Sequence, residues 1–254
     1  MTAPDYKDAD PAPLAGRTVL VTGGAHRVGG AISTHLGALG ARVIVHAHQH
    51  LQAADRLVAK LPAGSVAIGA DLRLPDGADR LYEALGSLAP QVDGLVHAAA
   101  SFLRGPLAEL TAAQWDEVFS LNLRAFALLA GRFAAARAGR GGDLVAIGDS
   151  AGLELWPSYV AHSIAKAGLL SLVKLLAKGM APTFRVNAIV PGAVLPPDGT
   201  SAELVATYAR RTLLQRIGQP ADIADAVAYL LRARFVTGAI LPVTGGSELW
   251  RGRE

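Results

Sequence analysis

The chain has 254 residues, 51% of them hydrophobic and 18% charged, with seven histidines, no cysteine and a formal charge of +3. Such a composition excludes a disordered polyelectrolyte, disulfides, thiolate metal sites and a cysteine nucleophile, and it agrees with a cytoplasmic protein. Lysines and arginines are scattered without a basic run, and no uninterrupted apolar stretch reaches about 18 residues, so neither a nucleic-acid partner nor a membrane span is expected.

Residues 1–16, MTAPDYKDADPAPLAG, read as an acidic, proline-containing lead-in with no secretory signal, which leaves 17–254 as one domain. Short β-branched runs then predict seven strands, at 17–23, 41–48, 65–71, 92–100, 142–150, 184–192 and 238–243. Helical patterns fall between them at about 27–39, 51–60, 75–88, 111–138, 157–179 and 221–232. Thr111 and Gln114 have the spacing of a capping box. Strand–helix alternation with near-continuous apolar strands implies an α/β fold: a doubly wound, parallel, seven-stranded sheet of Rossmann type with helices on both faces. The Pro- and Gly-rich stretch 191–200 is expected to close over a ligand.

Gly23, Gly24 and Gly29 stand between the first strand and the first helix, where glycine lets the backbone approach a pyrophosphate. Arg27 occupies a position where another glycine is common. The second strand ends in HAHQH (46–50), without the acid that accepts hydrogen bonds from a ribose 2′-hydroxyl. Arg27 with His46, His48 and His50 instead supplies donors for a 2′-phosphate, which favours NADP(H). Asp71 follows the third strand, where it can meet an adenine amino group. Alternation also puts the three histidines of 46–50 on one face, but no acidic or fourth ligand is adjacent, and no metal site is expected.

In order along the chain, TGGAHRVG (22–29), Asp71, Asn122, Lys166 in AKAG, RVNAIVPG (185–192), IGQPADIADAVAYLL (217–231) and VTGAILPVTGG (236–246) resemble the short-chain dehydrogenase/reductases over residues 17–246. The resemblance implies a nicotinamide cofactor against Gly23, Arg27, Val28, His46, His48, Asp71, Leu72, Ala98, Ala99, Lys166, Pro191 and Gly192. It also implies a homodimer or homotetramer packed through two long helices. Within the family the chain is most similar to pteridine reductases and related bacterial dihydrofolate or dihydromonapterin reductases. The features shared are Arg27, Asp149 in place of the usual serine, Phe102 after the fourth strand, and Tyr159 three residues before the catalytic position.

Two departures stand out. His97 and Ala98 replace a pair of asparagines, and His162 replaces the catalytic tyrosine. The resemblance then implies Asp149, His162, Lys166, Tyr159 and Asn122 as catalytic residues, with Phe102, Trp156, Tyr159 and Asp149 against the substrate. Tyr159, His162 and Lys166 have the spacing of one helix face. A carboxylate beside an imidazole makes a sensible proton donor, so an Asp149–His162 pair is expected in that role. Three functions remain open: reduction of a pterin or similar conjugated C=N or C=O group by NADPH, reduction of another carbonyl such as a 3-oxoacyl group or ketone, or cofactor binding without turnover.

Overall fold

The computed structural model describes residues 13–196 and 199–250. Seven strands, β1 (Thr18–Thr22), β2 (Arg42–Ala47), β3 (Val66–Gly69), β4 (Gly94–His97), β5 (Gly142–Ile147), β6 (Phe184–Pro191) and β7 (Ile240–Val243), form one sheet. All pairs are parallel and the order is β3-β2-β1-β4-β5-β6-β7. The helices are α1 (Arg27–Ala38), α2 (Leu51–Val58), α3 (Gly77–Leu85), α4 (Ala112–Phe119), α5 (Ala125–Ala136), α6 (Ala151–Glu154), α7 (Val160–Met180), α8 (Ala202–Arg210) and α9 (Pro220–Arg232).

Successive residues of a strand point to opposite faces, and both faces here are apolar. In β1, Val19 and Val21 join Ile32 and Leu36 of α1 and Val227 and Leu231 of α9 in one core. Leu20 between them joins Leu81 of α3, Phe126 and Phe133 of α5, and Leu169 and Val173 of α7 in the other. Residues 112–136 and Val160–Met180 are long and apolar enough, by length and composition, to cross a bilayer. About half of each lies buried against the rest of the protein, so the core accounts for their composition: 44% and 50% of the most apolar stretch.

Several expected boundaries move. Residues 1–12 of the lead-in lie outside the described residues, but Leu14 is fully buried, and its N–H donates to Leu39 O. The fold therefore begins before residue 17. Strand β4 ends at His97, so Ala98, Ala99 and Ala100 are loop rather than strand. The helix expected over 111–138 starts with the capping box of Thr111 and Gln114, but a π-helical turn (Ser120–Arg124) interrupts it between α4 and α5. One extra residue in that turn reorients the side chain of Asn122 and frees nearby carbonyls. Helix α7 starts at Val160, which leaves Tyr159 as its non-helical N-cap residue instead of a member of the helix face.

Candidate active site

The sheet order reverses between β1 and β4, so the loops after these strands diverge and leave a crevice at their carboxyl ends. The cavity there measures about 1170 Å³. Every residue anticipated for the site lines it except Gly24, buried within the turn, and Asn122, which is fully buried behind the wall.

At the dinucleotide end, Gly23 has φ +63°, and a Cβ there would lie 2.9 Å from Ala99 Cα. A Cβ on Gly29 would lie 2.1 Å from Gly23 O, so both positions demand glycine. The N-cap of α1, His26, makes no side-chain cap, which leaves the first N–H groups of the helix to face an anion. Arg27 itself holds φ +50° and donates from Nη2 to Leu195 O at 2.8 Å, spanning from the glycine turn to the loop after β6.

His46 does not serve as a phosphate donor. Its ring is 2% exposed; Nδ1 accepts from Gly23 N at 3.2 Å and Nε2 donates to Ala70 O at 3.0 Å. Burial pushes its pKa down to about 4, so it stays neutral. His48 remains exposed at the rim, 3.6 Å from Asp71 Oδ2, while His26 and His50 meet edge to face at 4.4 Å. Asp71 is committed as well: Arg73 donates to it from N, Nε and Nη2 at 2.9–3.0 Å and draws its pKa down to about 2. Sequence reasoning missed Arg73, whose only signal was its place two residues after Asp71.

At the other end, Asp149 follows β5 and is fixed by the N–H of Ala151, which donates to Oδ1 at 2.7 Å. Its Oδ2 lies 3.4 Å from Nε2 of His162, within ion-pair distance but off line. That nitrogen has no hydrogen-bond partner among the described residues, although His162 is only 1% exposed. Nδ1 of the same ring is 3.1 Å from Ser101 O and 3.3 Å from Asn122 Nδ2. Asn122 in turn accepts from Ser101 N at 2.8 Å and donates to Ser101 O at 2.9 Å. The π-turn therefore holds the loop after β4 against the imidazole.

One turn along α7, Lys166 is buried and donates from Nζ to Ile147 O at 2.8 Å. Burial lowers its pKa to about 8, with Asp149 opposing the shift. Phe102, half-exposed, stacks on Tyr159 at 4.7 Å and turns its edge to His162 at 4.8 Å. Tyr159 thus reaches the crevice through ring contacts although it precedes the helix. Trp156 stands beside it at 6.0 Å, its indole N–H donating to Glu154.

Residues 23–248 match the family described as enoyl-(acyl carrier protein) reductase. The chain is 32% identical over 251 residues to the granaticin polyketide synthase putative ketoacyl reductase 2 of Streptomyces violaceoruber, covering 95% of this chain and 98% of that one. Among solved structures, the angucycline C-6 ketoreductase LanV with bound NADP is similar at a TM-score of 0.84 and 28% identity, covering 94% of this chain and 98% of that one. The FolM alternative dihydrofolate reductase 1 of Brucella canis, complexed with NADP, is similar at 0.83 and 29%, covering 94% and 97%. With its motifs in family order, its sheet reversed at the crevice and these matches along nearly its whole length, the chain belongs to the short-chain dehydrogenase/reductase family of oxidoreductases.

Proposed function

We propose that the protein is an NADPH-dependent reductase of a flat, conjugated C=N or C=O group, with a pterin as the first substrate and His162 as proton donor. The observation that carries this reading is the buried Nε2 of His162, which faces the crevice beside Asp149 without a hydrogen bond. A group that must meet a reacting atom is left unsatisfied in just this way until the substrate arrives.

The residues fit a phosphorylated nicotinamide dinucleotide. The open N-terminus of α1 suits the pyrophosphate, and Arg27 with the exposed His48 suits a 2′-phosphate. Lys166 has two N–H bonds beyond the one given to Ile147 O, enough for a ribose diol. Bound NADPH supplies the hydride. The protein's own residues manage the proton. As the donor, the His162 ring keeps Nδ1–H on Ser101 O and offers Nε2–H to the substrate, with the Asp149 carboxylate 3.4 Å to one side. Once Nε2 gives up its proton, the bond to Ser101 O still holds the ring in place.

The pterin reading rests on Asp149 and Phe102. A carboxylate is an acceptor, so it complements a heterocycle bearing N–H groups and repels a bare ketone oxygen. The exposed face of Phe102 offers an apolar surface for a flat ring. A polycyclic aromatic ketone is the second reading, favoured by the similarity to two ketoreductases. NADPH oxidation is expected to run faster with dihydrobiopterin or dihydrofolate than with a polycyclic aryl ketone. His162→Ala is expected to lower kcat by roughly 10²–10⁴-fold with little change in NADPH affinity. Turnover of the ketone alone would move the assignment to ketoreductase, and tight NADPH binding without turnover of either class would end the reductase reading.

A further inference from the structure

Two buried imidazoles outside the proton path share an arrangement that the reaction itself does not require. Strand β1 ends at Thr22 and turns at Gly23, and its neighbours in the sheet are β2 on one side and β4 on the other. Near the carboxyl end of each neighbour stands a histidine: His46 in β2 and His97 in β4, 2% and 1% exposed. Each turns Nδ1 toward the end of β1. Nδ1 of His46 accepts from the Gly23 N–H at 3.2 Å, and Nδ1 of His97 lies 2.9 Å from the hydroxyl of Thr22, its register partner. Each then directs Nε2 outward to a backbone carbonyl of the next element. His46 meets Ala70 O just past β3 at 3.0 Å, and His97 meets Leu121 O in the π-turn at 3.2 Å.

A carbonyl only accepts, so Nε2 must carry the hydrogen in both rings; Nδ1 of His46 must then be bare to receive the Gly23 N–H. The Thr22 hydroxyl receives the Ala99 N–H at 3.3 Å and is left to donate to Nδ1 of His97. Both rings are thereby fixed as the same neutral tautomer, and burial, which lowers their pKa to about 4 and about 3, keeps them so. The bonds converge on the two residues that set the glycine turn. Through Leu121 the His97 bond also reaches the π-turn that carries Asn122.

We infer that His46 and His97 act as a matched pair of positioning residues, bracing the Thr22–Gly23 turn from both sides so that its backbone is set for the dinucleotide before it binds. The benefit for the ligand is pre-organisation: a turn already held by a hydrogen bond to each ring, with each ring anchored in turn to a backbone carbonyl, loses less freedom on binding. This rests on the cofactor assignment proposed above, but the brace can be tested without turnover.

The test replaces each histidine by methionine, which has a comparable volume and neither ring nitrogen, and by glutamine, whose amide offers one acceptor and one donor. Phe126 already packs on His97 at 5.6 Å, so an apolar side chain is tolerated on that flank. NADPH affinity is expected to fall at least tenfold in each methionine variant and to recover to within threefold with glutamine, at similar melting midpoints. A folded methionine variant that binds NADPH as tightly as the unaltered protein would overturn the proposal. Should the methionine variants not fold, ¹⁵N spectra of histidine in the unaltered chain carry the test. Two rings must appear as the Nε2–H tautomer, missing in turn from His46→Gln and His97→Gln, and must not titrate above about pH 5.5. Either ring found protonated on Nδ1, or titrating near neutrality, would sink the brace. Failure of the unaltered protein to bind NADPH would instead sink the cofactor assignment, leaving the spectra to judge the brace.

Discussion

At the scale of single residues, His46 and His97 also tie the protein's stability to pH. Their folded pKa values, about 4 and about 3, lie below the ordinary 6.5, so below pH 6.5 the unfolded chain takes up protons that the folded chain refuses. Their contribution is therefore complete above pH 6.5 and drains as the pH falls toward those folded values. At about 1.4 kcal/mol per unit, the two together remove about 5 kcal/mol by about pH 4.5, a large share of a typical domain's 5–15 kcal/mol. Urea unfolding free energies measured between pH 7 and 4.5 are expected to show that decline. In His46→Gln, His97→Gln the slope is expected to be much shallower, and an unchanged slope would assign acid sensitivity to other groups. The role of His46 was not legible beforehand for a plain reason. In a sheet covered on both faces, alternation does not tell which side of a strand meets solvent, so a histidine at a strand's end reads equally as rim donor or interior brace. The glycines were legible because steric exclusion is written in the residue type itself: no other side chain tolerates the approach of Gly23 to Ala99.

At the scale of elements, the long helical stretch after Thr111 shows what a pattern can and cannot carry. Its start was readable from Thr111 and Gln114, whose side chains satisfy each other's backbone N–H groups. The π-turn was not, because Leu121, Asn122 and Leu123 fit an ordinary helix by composition; the extra residue is favoured by partners distant in sequence, Ser101 and His97. Likewise the apolar run of β4 continues into Ala98–Ala100, yet the strand stops where Thr22 and Asn122 draw the backbone away. Since the cap lies at the far end of α4 from the turn, Thr111→Ala is expected to cost about 1 kcal/mol, seen as a lower melting midpoint, with NADPH affinity unchanged. A loss of affinity beyond threefold would mean that α4 and the π-turn move as one unit.

At the scale of the whole molecule, seven parallel strands send every strand-to-helix turn to one edge of the sheet, and all the anticipated site residues but Gly24 and Asn122 line the cavity there. That convergence is why residues read from separate motifs meet in one crevice, while the protein partners of His46 and Asp71 went unforeseen: topology gathers the motifs, whereas hydrogen bonding assigns their partners. The opposite edge is held by a different set of contacts. Asp143 bridges Arg17 at 2.5 Å and Arg185 at 2.7 Å, and both arginines also donate to carbonyls at the end of α9. Arg27 is an L-residue kept at φ +50°, where glycine rests without strain. Arg27→Gly is expected to raise the melting midpoint by about 2–4 °C, the equivalent of about 1 kcal/mol in a chain of this size, and to narrow the preference for NADPH over NADH. On the 2′-phosphate role proposed for Arg27, a lineage choosing that arginine has accepted a slightly weaker scaffold for a sharper choice between two nearly identical coenzymes, and reverting it would exchange the second quality for the first.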